Sequence, residues 1–220
     1  MYDYPWICFP GRLHSTKEVM FFLENIENLQ RIISENPPHL TNLIFGDMNH
    51  PAIHNDVMKF VNKEVDRTIR KIIIEISSKK VIYHNNIPLN WYYAQRYNQV
   101  RPTMVTKVLT DEEIDSDIRR IIELCKTIFN EHIDVHIIPH LNLKSRTLND
   151  YIPERNKLVD ALETACNVHS IQFHNIGKHI ETTNGGLCFI EEYMADSTHY
   201  SKGYEQVKEF LLNAIIGVAE

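Results

Sequence analysis

The chain has 220 residues, 43% of them hydrophobic, which suits one domain with a single substantial core. Its formal net charge of -6 and isoelectric point near 6.1 exclude the basic footprint of a nucleic-acid-binding protein. No apolar run approaches the ~18 residues of a membrane span. The opening stretch from Met1 to Ile7 lacks the basic and apolar regions of a signal peptide, so a cytoplasmic protein is expected.

Apolar runs of strand type alternate with segments of helical period along nearly the whole chain. Trp6-Ile7-Cys8-Phe9 reads as a short first strand, broken by Pro10-Gly11. A helix is predicted from about Thr16 to Ser34, with Val19, Met20, Leu23, Ile26, Leu29 and Ile33 on one face. Leu43-Ile44-Phe45 reads as the second strand, and a helix follows over roughly Asn55 to Arg70. Lys71 to Ile76 is the third strand; its continuous β-branched run suits a central parallel strand buried on both faces.

Residues 84 to 109 break this rhythm, with Trp91, Tyr92, Tyr93 and Tyr97 showing neither period. The stretch reads as an irregular insertion: a candidate lid, or a satellite core of aromatics. Thr110 and Glu113 then form a Thr-x-x-Glu capping box that opens a long helix. Ile133 to Ile138 is the fourth strand, ended by Pro139. A helix follows from Asp150 and Pro153 to about Cys166, and Val168 to Phe173 is the fifth strand. From Tyr204 a last amphipathic helix carries Val207, Phe210, Leu211, Ala214 and Ile215. Five strands with interleaved helices predict one three-layer α/β domain over residues 1–220, with a mainly parallel five-stranded sheet. Its chemistry belongs at the carboxyl ends of the strands.

Cys8, Cys125, Cys166 and Cys188 contain no Cys-x-x-Cys pair and read as reduced core thiols. Histidines four apart (His50 and His54; His132, His136 and His140) invite a metal reading, but no carboxylate completes a known ligand pattern. No metal and no cofactor are expected.

Just before the last helix stands Asp196-Ser197-Thr198-His199-Tyr200-Ser201-Lys202-Gly203-Tyr204. An acid and an imidazole three residues apart in a short loop suit proton transfer; the plainer alternative is that they cap a turn. This Asp-x-x-His block followed by Gly-Tyr resembles the last conserved block of the SGNH (GDSL-type) hydrolases. The order of the five βα units is also similar to that family's flavodoxin-like sheet. The resemblance implies a nucleophilic Ser after strand one, a Gly after strand two and an Asn-bearing block after strand three. Gly46 matches the second block by position. Gly-Asp-Ser is absent. Ser15 is the only serine after strand one, at the start of a helix, and Ser15-x-x-Glu18 also reads as a plain capping box. Where the family places its Asn, this chain has Ser77 and Ser78; Asn49 is a substitute donor for the oxyanion.

The resemblance therefore implies a divergent serine esterase or acyltransferase, with O-acyl esters of carbohydrates as its substrate class. Ser15 would be the nucleophile, His199 the base and Asp196 its orienting carboxylate; Gly46, Asn49, Ser77 and Ser78 would serve the oxyanion. The partners implied are a small-molecule or glycan ester, without nucleic acid or membrane. The competing expectation is a catalytically inactive SGNH-like domain that binds a glycan or a protein, which the missing Gly-Asp-Ser favours and the Asp196/His199 pair opposes. A flavodoxin-like nucleotide binder is disfavoured because no glycine-rich loop follows strand one.

Overall fold

A computed structural model describes residues 6–7, 13–36, 38–45, 48–49, 51–62, 69–90, 94, 103–186, 188–195, 204–210 and 213. The chain is a mixed α/β protein. Its central sheet is built from β1 (Trp6–Ile7), β2 (Lys71–Ile76), β6 (Asp134–Pro139) and β9 (Gln172–Phe173), in that spatial order and all parallel. β2 and β6 are its long pair, in register from Lys71 beside Asp134 to Ile76 beside Pro139. β6 is buried from Val135 to Pro139, whereas β2, expected to be buried on both faces, alternates: Ile72, Ile74 and Ile76 are buried and Lys71, Ile73 and Glu75 are not.

Alternation along β2 and β6 divides the core in two. Ile72, Ile74, Ile76, Val135 and Ile137 point into the larger cluster. That layer holds α1 (Thr16–Glu24), α5 (Asp111–Ile128) and α6 (Pro153–Val168), with α1 against α5 and α5 against α6. Ile73 and Ile138 point the other way, into a cluster with Ile176 and Ile180 of α7 (Ile176–Thr183), Ile190 and Tyr193 of α8 (Ile190–Tyr193), and Val207 of α9 (Tyr204–Phe210). α5 begins with the capping box read from sequence: Thr110 Oγ1 accepts from the Glu113 N–H while Glu113 Oε2 accepts from the Thr110 N–H.

Several elements differ from their sequence expectation. Leu43-Ile44-Phe45 is not a strand. It ends helix α3 (Pro38–Phe45), in which Thr41, Asn42, Ile44 and Phe45 are buried. A three-residue apolar run suits a buried helix turn as well as a strand, and Pro38 at the helix start favours the helix. The five-stranded sheet is therefore replaced, among the described residues, by four parallel strands. The first predicted helix is three pieces: α1, a 3₁₀ turn at Ile26–Asn28, and α2 (Leu29–Glu35). It breaks at Asn25, whose side-chain amide donates to the Phe21 carbonyl. The next helix, α4, runs Pro51–Val61. The predicted fifth strand shrinks to two residues, because α6 continues to Val168.

The stretch 84–109, expected to be irregular, contributes to a three-stranded antiparallel sheet in the order β4–β3–β5 (Ile87–Leu89, Lys80–His84, Val105–Val108). Asn85 and Asn86 turn the β3–β4 hairpin with φ of 50° and 65°, the left-handed pair that a two-residue turn requires and asparagine tolerates. Trp91, Tyr92, Tyr93 and Tyr97 lie outside the described residues. A short antiparallel pair, β7 (Lys144–Ser145) with β8 (Asp150–Tyr151), follows β6. Among the described residues no helix is long and apolar enough to cross a membrane.

Candidate functional site

The carboxyl ends of the parallel strands carry a row of polar side chains. Ser77 follows β2, His140 follows β6 and His174 follows β9, while His14 and Ser15 stand between β1 and α1. His14 is pinned to the end of β2: its carbonyl accepts the N–H groups of both Ser77 (2.9 Å) and Ser78 (2.8 Å). That anchorage brings Ser77 Oγ to 2.8 Å from His14 Nδ1. A serine hydroxyl on an imidazole nitrogen, at the functional end of an α/β sheet, is the arrangement that nucleophilic acyl transfer uses.

Ser15 is placed differently. It is the N-cap of α1, fully buried, with Oγ accepting from the Glu18 N–H (3.3 Å) and donating to Glu18 Oε1 (2.9 Å). Glu18 closes the box one residue earlier than usual, its Oε2 accepting from the His14 N–H at 3.1 Å. Ser15 thus spends its hydroxyl on helix capping, the plainer of its two sequence readings.

Glu18 itself is buried, and burial pushes its carboxyl up to about 8, against the opposing hydrogen bonds from the His14 backbone and the Ser15 side chain. A neutral carboxylic acid cannot take a proton from Ser15. The folded protein holds this proton more tightly than the unfolded chain, so stability falls as pH rises from the ordinary 4.5 toward about 8. At about 1.4 kcal/mol for each unit of pKa difference, Glu18 imposes a loss of a few kcal/mol across that window. Urea unfolding of Glu18→Gln at a series of pH values is expected to lack this slope. Parallel profiles for wild type and variant would show that Glu18 ionises as it does in water.

Beside this group, Asp117 of α5 is buried at 2% side-chain exposure and accepts from Thr16 Oγ1 and Lys17 Nζ, each at 2.6 Å. Burial raises its carboxyl while those two bonds oppose the rise. Tyr83 is raised by its burial and by the acidic groups Asp117, Glu113 and Glu18.

Of the other residues singled out from sequence, Asn49 is exposed in a turn and Ser78 caps its own turn, its Oγ accepting from the Lys80 N–H at 2.9 Å. Gly46, Asp196 and His199 lie outside the described residues. His50 lies outside the described residues, and His132, His136 and His140 do not converge. His132 is exposed beside Glu131, His136 is buried in β6, and His140 pairs with Glu75 Oε1 at 2.6 Å. His136 instead bridges Asp134 Oδ2 (2.9 Å) and His174 Nε2 (2.8 Å), with the two imidazoles stacked. Burial lowers both imidazoles, so they are neutral at pH 7. Among the described residues no three His, Cys, Asp or Glu side chains are grouped to hold a metal ion. Burial holds Cys125 and Cys166 up at about 12, which makes them inert thiols.

His14 drew no notice in the sequence, although it stands next to Ser15 and contacts Ser77. Its partner is 63 positions away, and no local spacing marks such a pair. No known protein family matches the chain, and no curated protein matches it.

Proposed function

We propose that this α/β protein is a divergent SGNH-type serine esterase or acyltransferase that acts on O-acyl esters of carbohydrates. The observation that carries this reading is the 2.8 Å contact between Ser77 Oγ and His14 Nδ1 at the carboxyl end of β2. In it, Ser77 Oγ attacks the acyl carbon while its proton passes to His14 Nδ1, and the sugar oxygen leaves with a proton. Water or a second hydroxyl then takes the acyl group from Ser77, and the imidazole returns to its starting state. The Asp196/His199 block supplies an imidazole–carboxylate pair in this reading, supported by its resemblance to the family's last block and by a helix beginning at Tyr204.

The test is labelling with a serine-directed fluorophosphonate. Label is expected on wild type and on Ser15→Ala, and is expected to be lost in Ser77→Ala and His14→Gln. Label that persists in Ser77→Ala but disappears in Ser15→Ala and His199→Ala would move the chemistry to the triad that the resemblance implies. A wild type that never labels would favour the second reading, a glycan- or protein-binding domain without catalysis. One observation speaks for that second reading: the hydroxyl after strand one is buried and fully engaged in capping α1.

A further inference from the structure

On a different set of residues, the chain leaving β6 and the helix following β9 border a shallow, open cavity of about 370 Å³. Lys144 and Tyr151, paired across β7 and β8, form one wall. Lys178, Glu181 and Thr182 form the other, at the three- and four-residue spacing that puts them on one face of α7. Gly185 and Gly186 complete the rim at φ of 77° and 99°. At both glycines a side chain would project into empty space and meet the left-handed penalty, so the rim stays low.

We infer that this cavity binds an acidic saccharide, a sugar ring bearing a carboxylate. Three features converge on that class. The ammonium groups of Lys144 and Lys178 are in no ion pair among the described residues, whereas the neighbouring Arg146 is held by Glu192. Neither is spent on the end of α7, because the Asn184 and Gly186 N–H groups already cap the Ile180 and Glu181 carbonyls. Two such cations across one cavity fit a carboxylate.

The ring of Tyr151 lines the cavity and is anchored at its hydroxyl. Its hydroxyl donates to both oxygens of Glu181 (2.7 and 2.9 Å), and Lys144 Nζ lies 5.8 Å from its centroid. A fixed aromatic face suits the C–H face of a pyranose. Glu181 keeps lone pairs beyond those facing Tyr151, and they accept sugar hydroxyls. A bare phosphate has no use for either the ring or the acidic acceptor. That combination points to a sugar acid and away from an inorganic anion.

Calorimetric titration of the full chain with trigalacturonate, its fully methyl-esterified counterpart and inorganic phosphate tests this without reference to turnover. Trigalacturonate is expected to bind and inorganic phosphate is not. The neutral ester is expected to bind roughly ten- to a hundredfold more weakly, the scale of a lost charge-assisted contact. Lys144→Gln/Lys178→Gln, a change of two solvent-facing head groups, is expected to lose affinity for trigalacturonate by a similar factor. Equal binding of acid and ester, phosphate binding as tight as the saccharide, an unaffected double variant, or no binding at all would each overturn the inference. None of these outcomes depends on Ser77 or His14, so this reading and the hydrolytic one fail separately.

Discussion

Replacing Gly177 with alanine is expected to destabilise the protein by about 3 kcal/mol or more, at the upper end of overpacking penalties. Gly177 is the second residue of α7 and is buried. A Cβ there would lie 2.1 Å from the carbonyl oxygen of Asn142, and that neighbour is backbone, with no flexible end to swing aside. Either α7 or the 141–143 segment must move. Both carry core residues: Ile176 and Ile180 on the helix, Leu141 and Leu143 on the segment. The same displacement would pull Lys144 away from Lys178, so the variant should lose saccharide binding along with stability. Urea unfolding reads the first effect and calorimetry the second. A midpoint within error of wild type would mean that the helix and the strand-end segment are not in close contact.

Removing the carboxylate of Asp117 is expected to cost about 3–5 kcal/mol, the range for breaking a buried charge pair from one side. Asp117→Ala leaves the hydroxyl of Thr16, which is 1% exposed, and the three-quarters-buried ammonium of Lys17 without their acceptor. Thr16→Val, which removes only one neutral donor, is expected to cost closer to 1 kcal/mol. Because Asp117 joins α1 to α5, its loss should also loosen the start of α1, where Ser15, Glu18 and His14 are linked. A double-mutant cycle between Asp117→Ala and Thr16→Val checks the origin of the effect. Additive losses would mean that the 2.6 Å contact carries no energy of its own.

What could be read from sequence was local. The capping box at Thr110 and Glu113 was legible because both partners lie within one turn. β2 and β6 were legible because Ile72-Ile73-Ile74 with Ile76, and Val135 with Ile137-Ile138, enrich strand-length segments in β-branched residues. Leu43-Ile44-Phe45 was misread for the complementary reason: three apolar residues fit a strand and a buried helix turn equally well. The hairpin at Asn85-Asn86 had its signal in plain view, since paired asparagines favour the left-handed conformations of a tight turn. The aromatic residues beyond it drew the eye toward an irregular insertion instead.

The long-range pairs are of the other kind. Ser77 meets His14 across 63 positions, Asp117 meets Thr16 across 101, and His136 meets His174 across 38. Ser15 and Ser77 were both visible as hydroxyls near strand ends, and nothing in their flanking residues separated a capping role from an imidazole contact. The sequence by itself determined the α/β class, the central strands and the starts of α1, α5 and α6, because periodicity and capping are short-range consequences of backbone geometry. Only the tertiary structure decided which serine faces an imidazole, that Glu18 holds its proton, and that two lysines share a cavity. Those outcomes depend on burial and on distances across the sheet, which appear only when remote segments are packed together.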